Sequence, residues 1–353
     1  MSRIRQAKAA LLDRLEAIVR ELVPGGRKNG STYTAKNPAR ADRTAGSFVV
    51  WLRGPAAGGW KDYATGEQGD IIDLVALAKA TDRKGALAWA EDRCGLRSMA
   101  EADRRAMEAA AAQRRREAEK HDQANALRKI DRARKMFASG SPEILGTPVE
   151  TYLASRGIPL REIKFLEDSF RFHPSLEWWM GRRDGVPGPR FPAMLSQMVD
   201  GEGVPKALHV TFIAPDGRGK APVEKPKLMW PATSGLVIRV TRGAGNRNAE
   251  TAAKLGKPAA CGIWEGIEDT LSVALAVPEL RLWAAGSLPN YLHVPDHACV
   301  DGWILGRDND WGKEQAQALF SRAFEHFERT GKPVTAVNAT GEAKDMNDLL
   351  RGE

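Results

Sequence analysis

Cysteine is scarce in this chain. Only Cys94, Cys261 and Cys299 occur in 353 residues, far apart and with no CxxC pair. A disulfide framework and a thiolate-built zinc ribbon are therefore excluded, and a reducing, cytoplasmic setting is expected. Long apolar runs are missing as well. No stretch approaches the ~20 residues that a membrane span needs, and the amphipathic N-terminus has no signal-peptide core, so no membrane partner is expected. A phosphate-binding G-x-x-x-x-G-K-[ST] run is also absent. Gly217-Arg218-Gly219-Lys220-Ala221 is the nearest approach and lacks both the spacing and the hydroxyl residue, which excludes a P-loop motor. Excess charge of either sign is modest: 53 Lys+Arg against 45 Asp+Glu leave +8. That balance permits a polyanionic partner without requiring one. With 28% charged and 42% hydrophobic residues, the remainder is ordinary globular protein, long enough for two or three domains.

What is present falls into four segments. Ile4, Ala7, Leu11, Leu15, Ile18 and Leu22 recur at helical spacing, and Pro24-Gly25-Gly26 stops the run. Ser47–Leu52 reads as a strand, Gly59–Tyr63 as its returning partner, and two helices follow from Asp70 and from about Lys84, the second closed by Gly95. Residues 1–97 thus form a small α+β module. Residues 98–140 are rich in Ala, Arg and Glu and free of proline, which predicts a long linker helix with basic clusters at 114–116 and 128–135. Those clusters read as a solvated helical face or as a phosphate-tracking surface. Residues 141–258 are mostly β, with strands at Ala193–Val199, Ala207–Ala214 and Gly235–Thr241, and are dotted with basic residues. From residue 259 to 353 apolar strands alternate with helices in the βαβ manner.

The last segment carries the chemistry. Strand 260–264 runs into Glu265-Gly266 and a helix bearing Glu268 and Asp269. Strand 302–306 runs into Asp308-Asn309-Asp310, and strand 333–337 leads to Lys344-Asp345-Met346-Asn347-Asp348. In an open parallel sheet the strand ends share one edge, where ligands bind, so these acids converge in space. Asp269 and Asp310 could instead cap the helices that follow them. Converging carboxylates with no His or Cys select a hard cation, Mg²⁺ or Mn²⁺, the usual device for phosphoryl transfer.

Glu-Gly after the first strand, D-x-D after the third and a trailing K-D-x-N-D resemble the Toprim domain of topoisomerases, primases and some nucleases. The fold implied is α/β: a C-terminal, Rossmann-like, mostly parallel sheet, an α+β basic subdomain and a small α+β N-terminal module joined by a helical linker. The resemblance implies that Glu265, Asp308 and Asp310 are catalytic. It implies metal ligation by these three and Asp345, with Asp269 and Asp348 as additional acids. One departure is local: only Trp311 stands between Asp310 and Gly312, where primases place two residues.

The rest of the chain is similar to the primase branch. A type IA topoisomerase needs a large gated ring and a nucleophilic tyrosine, and this chain has neither the length nor more than four Tyr. Tyr152–Ile158 resembles the opening of the primase polymerase core, and Arg190-Phe191-Pro192 with Lys225-Pro226-Lys227 resembles its basic subdomain. The resemblance implies nucleotide and DNA binding by Arg190, Lys206, Lys225, Lys227 and Lys344, although Lys227 could equally be a surface lysine. Residues 46–75 resemble the primase zinc-binding module, whose ligands sit near Asn37, Arg40, Asp62 and Thr65. None of these is Cys or His, so no zinc is expected, and Trp51, Trp60 and Tyr63 become core substitutes or base-stacking platforms.

The expectation is a DNA primase of phage or mobile-element type, using nucleotide triphosphates on single-stranded DNA beside a separate replicative helicase. The alternatives are a non-catalytic DNA-binding replication accessory or regulator, and a Toprim metal-dependent nuclease.

Overall fold

The computed structural model describes residues 3–40, 46–96, 101–309 and 314–352. It divides into two compact units, Met1–Asn125 and Ala126–Glu353. Among the described residues no helix is long and apolar enough to cross a membrane.

The N-terminal unit opens with α1 (Arg3–Asp13) and α2 (Leu15–Leu22). The sequence predicts one continuous helix here. The structure breaks it at Arg14, whose φ of −114° and ψ of 25° leave the helical region. Ala7, Leu11, Leu15, Ile18 and Leu22 are nevertheless buried, whereas Ile4, the first position of the stripe, is 36% exposed. An antiparallel sheet follows in the order β1 (Arg27–Asn29), β2 (Thr32–Ala35), β3 (Phe48–Trp51), β4 (Trp60–Asp62), β5 (Gln68–Gly69). Asp70 then starts α3 (Ile71–Ala78) through a reciprocal capping box with Asp73, and α4 (Arg83–Arg93) is capped by Asp82.

Phe48 stacks on the buried Trp60 at 5.1 Å, as expected of a core substitute. Tyr63 does not join them: it is 62% exposed, because β4 ends at Asp62 and the chain turns away. Of Asn37, Arg40, Asp62 and Thr65, the positions the resemblance singles out, three come together. Asp62 is fully buried. Its Oδ2 accepts from Asn37 Nδ2 at 2.9 Å and faces Arg40 Nη2 at 3.2 Å, while its Oδ1 accepts from the Ala64 backbone at 2.9 Å. Burial pushes the Asp62 carboxyl up, yet hydrogen bonds from Asn37, Ala64 and Ser47 and the Arg40 charge outweigh it and hold the pKa below the ordinary value. Thr65 stays outside this cluster and bonds Glu67.

The long helix α5 (Glu101–Ala138) contains the boundary between the units. Its C-terminal end is docked rather than bare. Ala133, Met136 and Phe137 pack into an apolar cluster with Leu195, Leu208 and Val210. Arg132 lies over the Trp230 ring, and Arg134 Nε donates to the Pro205 carbonyl at 2.7 Å. Part of the basic cluster at 128–135 is therefore tied to this unit's own sheet.

After α6 (Pro148–Ser155) that sheet has the order β6 (Phe170–Glu177), β7 (Arg190–Val199), β8 (Pro205–Phe212), β9 (Lys227–Trp230), all antiparallel. Strand alternation gives it two different faces. Ala193, Leu195, Leu208, Val210 and Trp230 face α5. Met194, Met198, Ala207 and Met229 join the other core, with Trp264, Ile267 and Leu271.

The next strand, β10 (Ile238–Arg239), corrects the sequence reading. It is shorter than 235–241 and pairs antiparallel with the C-terminal sheet, while the neighbouring Val237 makes a single bridge to Val199 at the end of β7. Helix α7 (Ala249–Lys254), unforeseen in a segment read as β, follows it with Asn248 as its cap. The remaining elements are β11 (Ala259–Trp264), α8 (Ile267–Ala276), β12 (Arg281–Ala284), β13 (Val300–Arg307), α9 (Glu314–Glu328), β14 (Val334–Asn338) and α10 (Met346–Arg351). The sheet order is β10-β12-β11-β13-β14, and every pair but the first is parallel. A mostly parallel α/β sheet beside an α+β subdomain is the fold class that the sequence pattern predicts.

Candidate active site

In a parallel sheet all C-terminal strand ends lie on one edge, and Glu265 and Asp308 follow β11 and β13 there. Both line one small cavity together with Tyr291. The Tyr291 hydroxyl lies 3.1 Å from the carbonyl oxygens of both Ile263 and Gly306, so it bridges the two strands just before the acids leave them. Gly306 makes room for the Trp264 ring of β11: a Cβ there would stand 2.1 Å from it.

Helix α8 brings the next acid. Gly266 is its N-cap, so Asp269 is no cap, contrary to one of the two roles the sequence left open. A Cβ on Gly266 would sit 2.4 Å from Asp269 Oδ2, so the glycine leaves that carboxylate its room. Asp269 accepts from the Asn347 backbone at 3.1 Å, which ties α8 to α10. Asp345 caps α10 and accepts from the Asp348 backbone at 2.9 Å. Asn309 pins the loops together: its Nδ2 donates to the Ala339 and Ala343 carbonyls at 2.9 and 2.8 Å, and its backbone donates to the Lys344 carbonyl at 2.7 Å.

These acids feel one another. Asp269 is pushed up to about 7, first by burial and then by repulsion from Asp345 and Asp308. The Tyr291 phenol is pushed well up by burial and by Glu265, Asp308 and Asp269. Glu265, Asp269, Asp308 and Asp345 thus share one electrostatic site. Asp310, and with it its alternative role as a helix cap, lies outside the described residues. Among the described residues no group of three or more His, Cys, Asp or Glu is drawn close enough to hold an ion. In kind the donors fit a hard divalent cation, since all are carboxylates and a positive charge would relieve the repulsion on Asp269.

A second cluster stands beside the acids, and sequence reasoning missed most of it. Glu268 is buried. Tyr152 on α6 donates to Oε1 at 2.6 Å, Lys227 on β9 donates to Oε2 at 2.9 Å, and Lys220 Nζ lies 3.9 Å from Oε1. Burial pushes the Glu268 carboxyl up, but Lys227, Tyr152 and Lys220 outweigh it and bring its pKa down to about 2. Thr211 is registered with Lys227, and His209 with Met229, on the same sheet face. His209 is buried and lowered to about 4 by desolvation and by Lys227. Only Lys227 was anticipated as a site residue, and it is not a free surface lysine: it is the ion-pair partner of Glu268, with its side chain still partly exposed. The available signal was two consecutive acids, Glu268-Asp269, in the first turn of an otherwise apolar helix.

The other basic candidates are spread out. Arg190 bonds Ser175 through Nε at 3.2 Å. Lys206 pairs with Asp200 at 2.6 Å. Lys225 and Lys344 are exposed and offer their carbonyls to Trp178 and Asn309.

Residues 260–353 match the family model for the Toprim domain. The C-terminal segment is a Toprim domain. Residues 127–240 match a domain of unknown function, DUF7146. No curated protein matches the chain. Among solved structures, the chain is similar to the zinc-binding and RNA polymerase domains of the Aquifex aeolicus primase, at 16% identity and a TM-score of 0.41, covering 100% of this chain and 83% of that one. It is similar to the DnaG catalytic core at 14% identity and a TM-score of 0.42, over 65% and 76% of the two chains. A DNA primase domain from Pseudomonas aeruginosa gives 14% and 0.41, over 64% and 74%. The acids Glu265, Asp269, Asp308 and Asp345 all fall within the Toprim domain, and Lys220 and Lys227 fall within the segment of unknown function.

Proposed function

We propose that the chain is a DNA primase, joining nucleotide triphosphates on a single-stranded DNA template with Mg²⁺ or Mn²⁺. One observation carries the reading: the Toprim acids stand beside Glu268, through which Lys220 and Lys227 of the preceding segment are drawn to the same helix. A carboxylate wall for a cation beside an ammonium wall for phosphates is the charge pattern of a triphosphate site.

Glu265, Asp308, Asp310 and Asp345 would hold the ion, whose contribution is to polarise a phosphate and neutralise developing charge. Lys227 and Lys220 orient the triphosphate, and Tyr152 fixes the Glu268 carboxylate that positions them. A 3′-hydroxyl oxygen bonds to the α-phosphorus while the bond to the β-phosphate oxygen breaks, pyrophosphate leaves, and Glu265 takes the hydroxyl proton. Exposed Arg190, Lys225 and Lys344, with half-buried Lys206, track template phosphates without reading bases. A replicative helicase would supply the single-stranded template.

The commitment of Lys227 to Glu268 favours a second reading, a DNA-binding accessory without turnover. One assay separates the two. Single-stranded DNA, labelled nucleotides and Mg²⁺ or Mn²⁺ give extension products for a primase and a mobility shift alone for a binder. Shortened DNA would instead reveal a nuclease and overturn both.

A further inference from the structure

Arg281 is the first residue of β12, and it is 2% exposed. The strands β11, β12 and β13 are parallel, so Arg281 stands at the sheet edge opposite Glu265 and Asp308, which follow strand ends. Its guanidinium donates through Nη2 to the Arg247 carbonyl at 3.2 Å. Its Nε is buried without a hydrogen-bond partner, and among the described residues no carboxylate pairs with it. A buried cation without a counter-charge is costly, which makes its surroundings informative.

Arg281 lines a cavity of about 250 Å³. Two further arginines line it, and both have their carboxylates: Arg239 pairs with Glu250, and Arg242 is held by Asp168 at 2.7 and 2.9 Å. Three guanidinium groups against two carboxylates leave one positive charge, and it belongs to the most buried of the three. The Nε of Arg239 and the indole N–H of Trp283, both in the lining, are also buried without partners. Three buried N–H donors without acceptors thus belong to side chains in the lining of one cavity. A second cavity of about 250 Å³ adjoins it and shares Phe165, Thr241 and Arg242. Arg242 lies 3.9 Å over the Phe165 ring, giving the two spaces a flat common wall.

We propose that this pair of cavities is a second ligand site, distinct from the Toprim carboxylates, that takes a phosphate monoester of mononucleotide size. The phosphate takes the place of the carboxylate that Arg281 lacks, accepting from its guanidinium, whose fork geometry suits it. The base lies against the Phe165–Arg242 wall. A free nucleotide and the 5′-phosphorylated end of a strand carry the same group. Because the site is built from arginines at the far sheet edge, it needs no divalent ion.

The test is titration calorimetry on the full chain in EDTA, with AMP, adenosine and a 5′-phosphorylated oligonucleotide as probes. AMP is expected to bind at least ~10-fold more tightly than adenosine, the worth of a charge-assisted hydrogen bond. Arg281→Met is expected to weaken AMP by at least ~10-fold on the same ground. Should Arg281→Met fail to fold, Arg242→Gln, at a partly exposed position, decides with an expected several-fold loss. Asp308→Asn is expected to leave AMP affinity unchanged. Stronger binding of AMP than of the oligonucleotide assigns a free nucleotide, and the reverse assigns a strand end; both uphold the site. No AMP binding up to millimolar concentration, equal affinity for adenosine, unchanged affinity in the folded arginine variants, or an equal loss in Asp308→Asn overturns the proposal.

Discussion

Lys227 Nζ donates to Glu268 Oε2 at 2.9 Å across 41 residues of sequence, joining the last strand of the basic subdomain to the first helix of the Toprim domain. The pair is the hinge of the functional reading, because it sets lysines beside the acids.

Glu268→Ala is expected to destabilise the C-terminal unit by about 3 kcal/mol, the low end for breaking a buried ion pair, because Lys227 and Lys220 keep part of their exposure to water. Tyr152→Phe, which removes one hydrogen bond to the same carboxylate, is expected to cost about 1 kcal/mol. Urea denaturation of both variants checks the ranking.

His209 predicts a pH dependence. Its folded pKa of about 4 lies below the ordinary value of 6.5, so the unfolded chain binds a proton that the folded one refuses. The stability it contributes is complete above 6.5 and is lost as pH falls from there toward 4, on the order of 3 kcal/mol in all. Denaturation measured between pH 7 and 4 should show this slope in the wild type and a flatter one in His209→Gln.

Repulsion at Asp269 predicts a response to metal. Mg²⁺ bound at a hundredfold excess over its dissociation constant would stabilise the fold by about 2.7 kcal/mol. Asp269→Asn keeps an oxygen to accept from Asn347 and removes a charge that faces Asp345 and Asp308. At pH 8 the metal-free variant should melt higher than the wild type and gain less from Mg²⁺ in differential scanning fluorimetry.

In the N-terminal unit, Asp62 occupies the place where a zinc ligand is expected by resemblance, and Asn37 and Arg40 close on it. Asp62→Ala should raise hydrogen exchange in β3 and β4, whereas EDTA should leave those rates unchanged. The contribution of Asp62 is present above the ordinary carboxylate pKa and fades as pH falls through its lowered folded value.

The strand-end acids were legible because a parallel sheet converts sequence order into position: an acid after each strand lands on one edge whatever lies between. Glu268 was not legible, because its partners come from α6, from the 220 loop and from β9, and Tyr152 alone is 116 residues away. Nothing local distinguishes a buried acid from a capping one. Strand β10 failed differently. Its apolar run, Leu236-Val237-Ile238, announces a strand, but such a run holds no information about which sheet the strand joins, and pairing with β12 was decided by tertiary contact. Tyr63 failed because β4 stops one residue earlier, at Asp62, which turned a core position into a surface one.

The most direct measurement is primer synthesis by the purified chain on single-stranded DNA with labelled nucleotides and Mg²⁺ or Mn²⁺, repeated with Asp308→Ala. Extension products from the wild type and none from a folded Asp308→Ala variant are predicted. Equal product from both, or none from the wild type with DNA binding intact, would contradict catalysis at the Toprim acids.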